Sequence, residues 1–176
     1  MAESTVLLHT IMTKLIELEQ ANFPWASCDK IDRLKHLLLV HAPELRNRRS
    51  QLHLSASALV FCHQTAFFIR HPYLKTTLLP AGHVEPNELP AACAQREFHE
   101  ETGYQLQPNG GRLIDLNLIS IPANPIKGEG AHQHIDFRFN FNLLNDLQDK
   151  PELPVFCLPK TQAPKEFARY FDLILR

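Results

Sequence analysis

Two amphipathic helices are predicted near the start of the chain. From Val6 to Leu18 the apolar residues recur at intervals of three and four, the spacing that places them on one face of a helix. A second pattern of this kind covers Cys28 to Val40 and stops before Pro43. Either Ser27 or Asp29 is placed to cap the first turn of this second helix.

After residue 50 the pattern changes to strands around a central helix. The predicted elements are strands over 53–62 and 66–69, a helix over 89–102, strands over 112–121 and 134–143, a short apolar stretch over 155–158 and a helix over 165–175. In the strand over 134–143 apolar and polar residues alternate strictly, which predicts one face in the core and the other on a polar surface or cleft. We therefore expect an α/β or α+β layered domain, residues 51–176, preceded by a helical extension, residues 1–50.

Composition and charge narrow the class of protein. The chain is 44% hydrophobic and 21% charged, as in ordinary globular proteins. Its formal net charge of −1 argues against a nucleic-acid partner, since nucleic-acid binders usually carry a strong basic excess. No apolar run approaches the ~18 residues of a membrane span. The four cysteines form no CxxC pair, which is typical of reduced thiols, so we expect a cytoplasmic protein.

Three carboxylates in the central helix provide the candidate chemistry. Glu97, Glu100 and Glu101 stand at positions i, i+3 and i+4, which share one narrow helix face. Carboxylates this close repel one another unless a cation or a proton lies among them. Hard divalent cations prefer oxygen ligands, and Mg²⁺ in particular is usually shared between carboxylates and substrate phosphates. The spacing therefore predicts a metal site on this face.

The wider segment from Gly82 to Tyr104 has a recognisable spacing. It consists of a glycine, five residues, a glutamate, seven residues, and then arginine, glutamate, an apolar residue, any residue, two glutamates, any residue, glycine and an aromatic residue. The matching positions are Gly82, Glu88, Arg96, Glu97, Phe98, Glu100, Glu101, Gly103 and Tyr104. This segment resembles the signature box of the Nudix hydrolases.

The resemblance implies a fold and a reaction. The fold would be a Nudix-like α/β/α sandwich with a mixed β-sheet. Mg²⁺ or Mn²⁺ would be held by Glu97, Glu100 and Glu101, with the Gly82 carbonyl as a further ligand. Arg96 and Glu88 would form an ion pair that orients the glutamates. The enzyme would be a pyrophosphohydrolase that adds water across a diphosphate linkage in a small nucleoside-diphosphate-type substrate.

Six residues outside the box are candidate substrate contacts. Arg70, His71 and Lys75 precede the box and are suited to phosphate. His134, Asp136 and Arg138 lie on the polar side of the alternating strand, which in similar Nudix proteins borders the active site. For each group the alternative is an ordinary surface role. His132, just before the strand, has the same two interpretations, whereas His83 in the box loop is either solvated or catalytic.

Several alternatives stay open at this stage. A non-catalytic or regulatory Nudix-fold nucleotide-binding module would share the fold, and an RNA 5′-end pyrophosphohydrolase would share the reaction. The near-neutral charge weakens the RNA alternative. The extension, residues 1–50, could cover the substrate cleft, form a homodimer surface or only pack against the domain.

Overall fold

The structure, a computed structural model, describes residues 2–108, 110–125, 128–144 and 148–174. Its helices are α1 (Ala2–Ala21), α2 (Cys28–Val40), α3 (Pro90–Thr102) and α4 (Lys165–Ala168), with 3-10 helices at Ala42–Glu44 and Arg169–Leu173. Its strands are β1 (Leu52–Cys62), β2 (Thr65–Arg70), β3 (Thr77–Leu78), β4 (Ala81–His83), β5 (Arg112–Ile121), β6 (His132–Phe141) and β7 (Val155–Pro159).

One mixed sheet of seven strands organises the described residues. Its main path is β3-β2-β1-β6-β5, with β4 paired to β1 and β7 paired to β2. The pairing of β1 with β6 is parallel, whereas the pairings of β1 with β2 and β4 are antiparallel. Because β1 pairs with both β4 and β6, the start of the box and the polar strand lie on either side of one strand. The predicted mixed sheet is confirmed.

Most helix boundaries follow the sequence pattern. The second predicted helix is confirmed as α2, and the Ser27 side chain accepts a hydrogen bond from the Lys30 N–H at 3.4 Å. The central helix ends at Thr102, and the next residue, Gly103, has a φ of 75° in the left-handed region that suits glycine. The predicted helix over 165–175 is instead one short α-helix followed by a 3-10 turn, and residue 175 lies outside the described residues.

Helical segments cover both faces of β6. Phe137 and Phe139 share a cavity wall with residues of α1 and α3 on one face. On the other face the guanidinium of Arg138 lies over the rings of Phe167 and Tyr170 from the C-terminal segment. Since successive residues of a strand point to opposite faces, the sheet is flanked by helical layers on both sides, as in an α/β/α sandwich.

The N-terminal helices share the core of the sheet. Leu15 and Leu34 are fully buried and belong to the same hydrophobic cluster as the strand residues. After α1, the indole N–H of Trp25 donates to the Ile114 carbonyl in β5 at 2.8 Å. Burial of these apolar side chains ties the extension to the sheet. No helix in the described ranges has the length and apolar character needed to cross a membrane.

Candidate active site

The acidic face of α3 lies against the short strand β4. The backbone N–H of Ala81 donates to the Glu101 carboxylate at 3.0 Å, which joins the helix to the strand. Gly82 follows, and a Cβ added there would lie 2.0 Å from the carboxyl carbon of Glu97. Only glycine therefore allows the backbone of β4 to approach the carboxylate this closely.

A single arginine orients the acidic residues. Arg96 forms a two-pronged ion pair with Glu88, with Nε–Oε1 and Nη2–Oε2 distances of 2.9 and 3.0 Å. Its Nη1 also donates to Glu97 at 2.7 Å and to Glu100 at 3.1 Å. The forked geometry of a guanidinium permits this set of bonds, whereas a lysine ammonium lacks the second prong. Arg96 thus fixes the loop before α3 and two of the three carboxylates at once.

The remaining electrostatics favour a cation at this face. Burial, together with the charge of the neighbouring Glu97, raises the pKa of Glu101 to about 8 against the opposing hydrogen bond from the Ala81 N–H. Burial also raises the pKa of Glu97 against the opposing influence of Arg96. For Glu88, burial opposes ionisation but the hydrogen bonds and charge of Arg96 lower its pKa. The negative charge of Glu88 is thus balanced by Arg96. The ionised forms of Glu97 and Glu101 would instead be stabilised by an added positive charge.

The donor set fits a hard divalent cation. Glu97, Glu100 and Glu101 supply carboxylate oxygens, and the backbone of Gly82 lies against the Glu97 carboxyl group. The buried thiol of Cys93 donates to the Gly82 carbonyl oxygen at 3.5 Å. Oxygen ligands from several carboxylates and a carbonyl are the chemistry that Mg²⁺ and Mn²⁺ prefer. The residues predicted from the box are therefore brought together.

The predicted contacts upstream of the box lie in a turn between β2 and β3. Arg70 ends β2, and its backbone N–H donates to the Pro154 carbonyl at 3.0 Å. The ring of His71 accepts the Leu74 N–H at 3.0 Å and so shapes the turn. Lys75 is exposed, with a φ of 55°. These residues form one loop that leads through β3 to the box.

The polar side of β6 differs from the sequence prediction of a surface or cleft, because Asp136 and Arg138 are only 2% and 4% exposed. Asp136 accepts hydrogen bonds from Ser57 at 2.9 Å and from Arg138 at 3.2 Å. Arg138 also donates to the Tyr170 hydroxyl at 2.8 Å. Two residues predicted as substrate contacts are therefore joined in a buried network.

Four histidines that the sequence pattern left apart meet beside this site. They come from three strands, and each ring offers one nitrogen, all within 4.8 Å of one another: His53, His83, His132 and His134. Burial, together with the neighbouring imidazoles, lowers the pKa of His134 to about 2. The signal available in the sequence was weak, since only the register of β1, β4 and β6 brings these positions together.

A cavity of about 330 Å³ lies elsewhere, between α1 and the start of α3. Its walls include Ala91 and Gln95 of α3 together with phenylalanines of β6. Gln95 and Glu97 are two positions apart and so point to nearly opposite sides of the helix. The cavity therefore does not include the carboxylate face.

The chain is similar to known proteins in sequence and in fold. The family model described as NUDIX domain matches residues 35–171. A curated protein of Lactococcus lactis subsp. cremoris, named probable DHNTP pyrophosphohydrolase, is 49% identical over 144 residues, which are 81% of this chain and 86% of that protein. A crystal structure of a NUDIX family hydrolase from Clostridium perfringens is similar in fold, with a TM-score of 0.50, 18% identity, and coverage of 74% of this chain and 99% of that one.

Proposed function

The chain belongs to the Nudix family and is a pyrophosphate-cleaving hydrolase, and from this premise we propose how its site works and what it cleaves. Nudix enzymes generally use a divalent metal. The proposed ion is Mg²⁺ or Mn²⁺, held by Glu97, Glu100 and Glu101 with the carbonyl of Gly82. The proposal rests on two neighbouring contacts: the Ala81 N–H donates to Glu101, and the backbone of Gly82 lies against the Glu97 carboxyl group.

The chain's own residues would prepare this site. When bound, a divalent cation polarises phosphoryl oxygens and lowers the pKa of water. Arg96 positions Glu97 and Glu100 through its bonds to both and keeps Glu88 ionised. Glu101, with its pKa raised to about 8, releases its proton when positive charge arrives. The hydrolysis itself adds water to one phosphorus of the diphosphate and breaks its bond to the bridging oxygen.

The proposed substrates are small compounds with a diphosphate linkage: those of the nucleoside-diphosphate type, and DHNTP, which the curated relative's name carries. Identity of 49% over most of both chains supports testing that compound before others. The loop of Arg70, His71 and Lys75 is proposed to contact the phosphates, and His134 to lie near the substrate. For Asp136 and Arg138 the buried network supports a role in holding β6 in place beneath the substrate.

The experiment measures pyrophosphate and phosphate release from a panel of compounds in the presence of Mg²⁺. The panel contains DHNTP, nucleoside triphosphates, a nucleotide sugar and a 5′-triphosphate RNA, which also tests the RNA alternative. Glu100→Gln and Glu101→Gln are each expected to lower turnover by about 10²-fold or more, because a ligand charge is lost. Glu166→Gln, which changes an exposed acid on α4, is the matched control and is expected to keep full activity.

Each result has a distinct meaning. Activity on DHNTP that is lost in chelator, restored by Mg²⁺ or Mn²⁺ and lost in the two variants would support the whole proposal. Activity on a different member of the panel with the same variant pattern would correct the substrate and keep the site. Near-normal turnover in both variants would overturn the assignment of the metal ligands.

A further inference from the structure

The four histidines form a compact cluster next to the carboxylate site. His53 of β1 pairs with His134 of β6 in the parallel ladder. His83 of β4 lies on the other side of β1, opposite the residue two positions after His53. The ring of His53 lies 4.9 Å from that of His83, 4.7 Å from that of His132 and 4.6 Å from that of His134, between centroids. The cluster thus joins three strands through their side chains.

A buried ring nitrogen in the cluster has no hydrogen-bond partner. His53 is 2% exposed, and its Nδ1 lies 3.1 Å from the Ser50 carbonyl oxygen. Its Nε2, on the other edge of the ring, is one of two buried side-chain nitrogen or oxygen atoms without a partner among the residues that the structure describes. An unpaired buried polar atom destabilises the folded state. A ligand that pairs with Nε2 would remove this cost.

Backbone carbonyls preset the protonation of two of the rings. Nδ1 of His132 lies 2.8 Å from the Gly130 carbonyl oxygen, as Nδ1 of His53 does from that of Ser50. A carbonyl accepts only, so Nδ1 in both rings carries the proton and Nε2 keeps a lone pair in the neutral form. Metal-binding histidines are usually held in this way. Nε2 of His132 also lies 3.0 Å from Nε2 of His134, a spacing that requires a proton or a cation to be shared.

We propose that His53, His83, His132 and His134 form a binding site for a transition-metal ion of the zinc type, distinct from the carboxylate site. Imidazole nitrogen suits Zn²⁺ and its neighbours in the first transition row, whereas Mg²⁺ selects oxygen. With Zn–N bonds of 2.0–2.1 Å, a tetrahedral site needs nitrogens about 3.3 Å apart. The four nitrogens lie within 4.8 Å of one another, so no pair would have to close by more than about 1.5 Å to reach that spacing.

An ion at this site would link the strands that carry the active site. His83 directly follows Gly82, and its carbonyl accepts a hydrogen bond from Arg96 at 3.2 Å. Binding at the four histidines would tie β4 to β1 and β6 and so steady the backbone that faces the glutamates. The site would act as a structural clip, and it stands or falls independently of the substrate proposed above.

The test titrates the full-length, metal-free protein with Zn²⁺, and separately with Co²⁺, in excess Mg²⁺. Wild type is expected to bind one equivalent of Zn²⁺, to gain thermal stability from it, and to give the visible absorption of tetrahedral Co²⁺. His132→Asn changes the more accessible end of the cluster and is expected to weaken Zn²⁺ binding by about 100-fold. His36→Asn, an exposed histidine on α2, is the matched control with unchanged binding.

A second comparison separates the two metal sites. The Glu100→Gln/Glu101→Gln double variant is expected to keep the Co²⁺ spectrum and the Zn²⁺ equivalent. Circular dichroism and thermal melting of the metal-free variants check that each is folded, and His83→Asn replaces His132→Asn if that variant is not. Absence of Zn²⁺ binding in wild type, binding unchanged in a folded histidine variant, or binding lost in the double glutamate variant would each overturn the proposal.

Discussion

The carboxyl group of Glu101 lies in surroundings that disfavour its ionised form. Burial raises the pKa of its carboxyl group to about 8 from an ordinary value of 4.5, so the metal-free folded protein keeps this proton where the unfolded chain has released it. Because the folded state binds more protons between these two values, the free energy of unfolding falls as the pH rises through this window. At neutral pH, metal binding must therefore displace a proton.

The Glu101→Gln substitution tests this linkage in metal-free protein. The variant removes the titration while its amide oxygen can still accept from Ala81. We expect it to be more stable than wild type near pH 8, by an amount on the order of 2–3 kcal/mol, and nearly equal to wild type near pH 5. Chemical denaturation at the two pH values measures the difference. A difference in stability between variant and wild type that is the same at both pH values would contradict the raised pKa.

Gly82 sets the distance between β4 and Glu97. In Gly82→Ala the new Cβ would collide with the Glu97 carboxyl group, which would swing away at little cost in stability and leave its proposed ligand position. A misplacement of about 1 Å at a reacting centre lowers activity by about 10²-fold. Gly130→Ala is the control, since a Cβ there meets nothing within 4 Å. Steady-state kinetics should show a loss only in the first variant; normal activity there would disprove the close-packing argument.

At this scale the sequence revealed the acidic residues but not the histidines. Glu97, Glu100 and Glu101 lie on one helix, so their shared face follows from local spacing alone. His53, His83 and His134 are separated by long stretches of chain and meet only through strand register. No local periodicity encodes that register, which depends on how the whole sheet assembles.

The elements themselves were predictable where packing and local preference agree. Strand β5 and helix α2 have the predicted bounds, because each has a continuous pattern and clear ends. Strand β4 was not predicted; its three residues after Pro80 are too few to show alternation, and its existence depends on pairing with β1. The buried polar side of β6 was also not foreseen, since Tyr170 covers it from a distant part of the chain.

Arg96 couples the loop before α3 to the helix itself, and a conservative change tests this coupling. Arg96→Lys keeps the charge but cannot form the paired bonds to Glu88 while also reaching Glu97 and Glu100. We expect kcat to fall by about 10- to 100-fold and the Mg²⁺ concentration for half-activity to rise, with KM little changed. Arg169→Lys, at an exposed arginine near the C-terminus, is the control. A change confined to KM would instead assign Arg96 to substrate binding.

At the scale of the whole molecule, a buried polar network joins the two ends of the chain to the sheet. The Tyr170 hydroxyl donates to Asp115 of β5 at 2.6 Å and accepts from Arg138 of β6 at 2.8 Å. Lys30 of α2 reaches the other oxygen of Asp115 at 2.5 Å. Buried charges of this kind are stable only while each keeps its partners. The network therefore makes the extension and the C-terminal segment depend on each other.

This dependence predicts how stability changes when the hydroxyl oxygen of Tyr170 is removed. Tyr170→Phe keeps the ring packed against Trp25 but removes one hydrogen bond from Asp115 and one from Arg138. We therefore expect the free energy of unfolding to fall by about 1–3 kcal/mol. Tyr73→Phe is the control, because that hydroxyl is bonded at the surface. Thermal unfolding followed at Trp25 and by far-ultraviolet circular dichroism should give one coincident transition in both variants, lowered only for Tyr170→Phe. An earlier separate transition at Trp25 would instead mean that residues 1–50 unfold as an independent unit from residues 51–176.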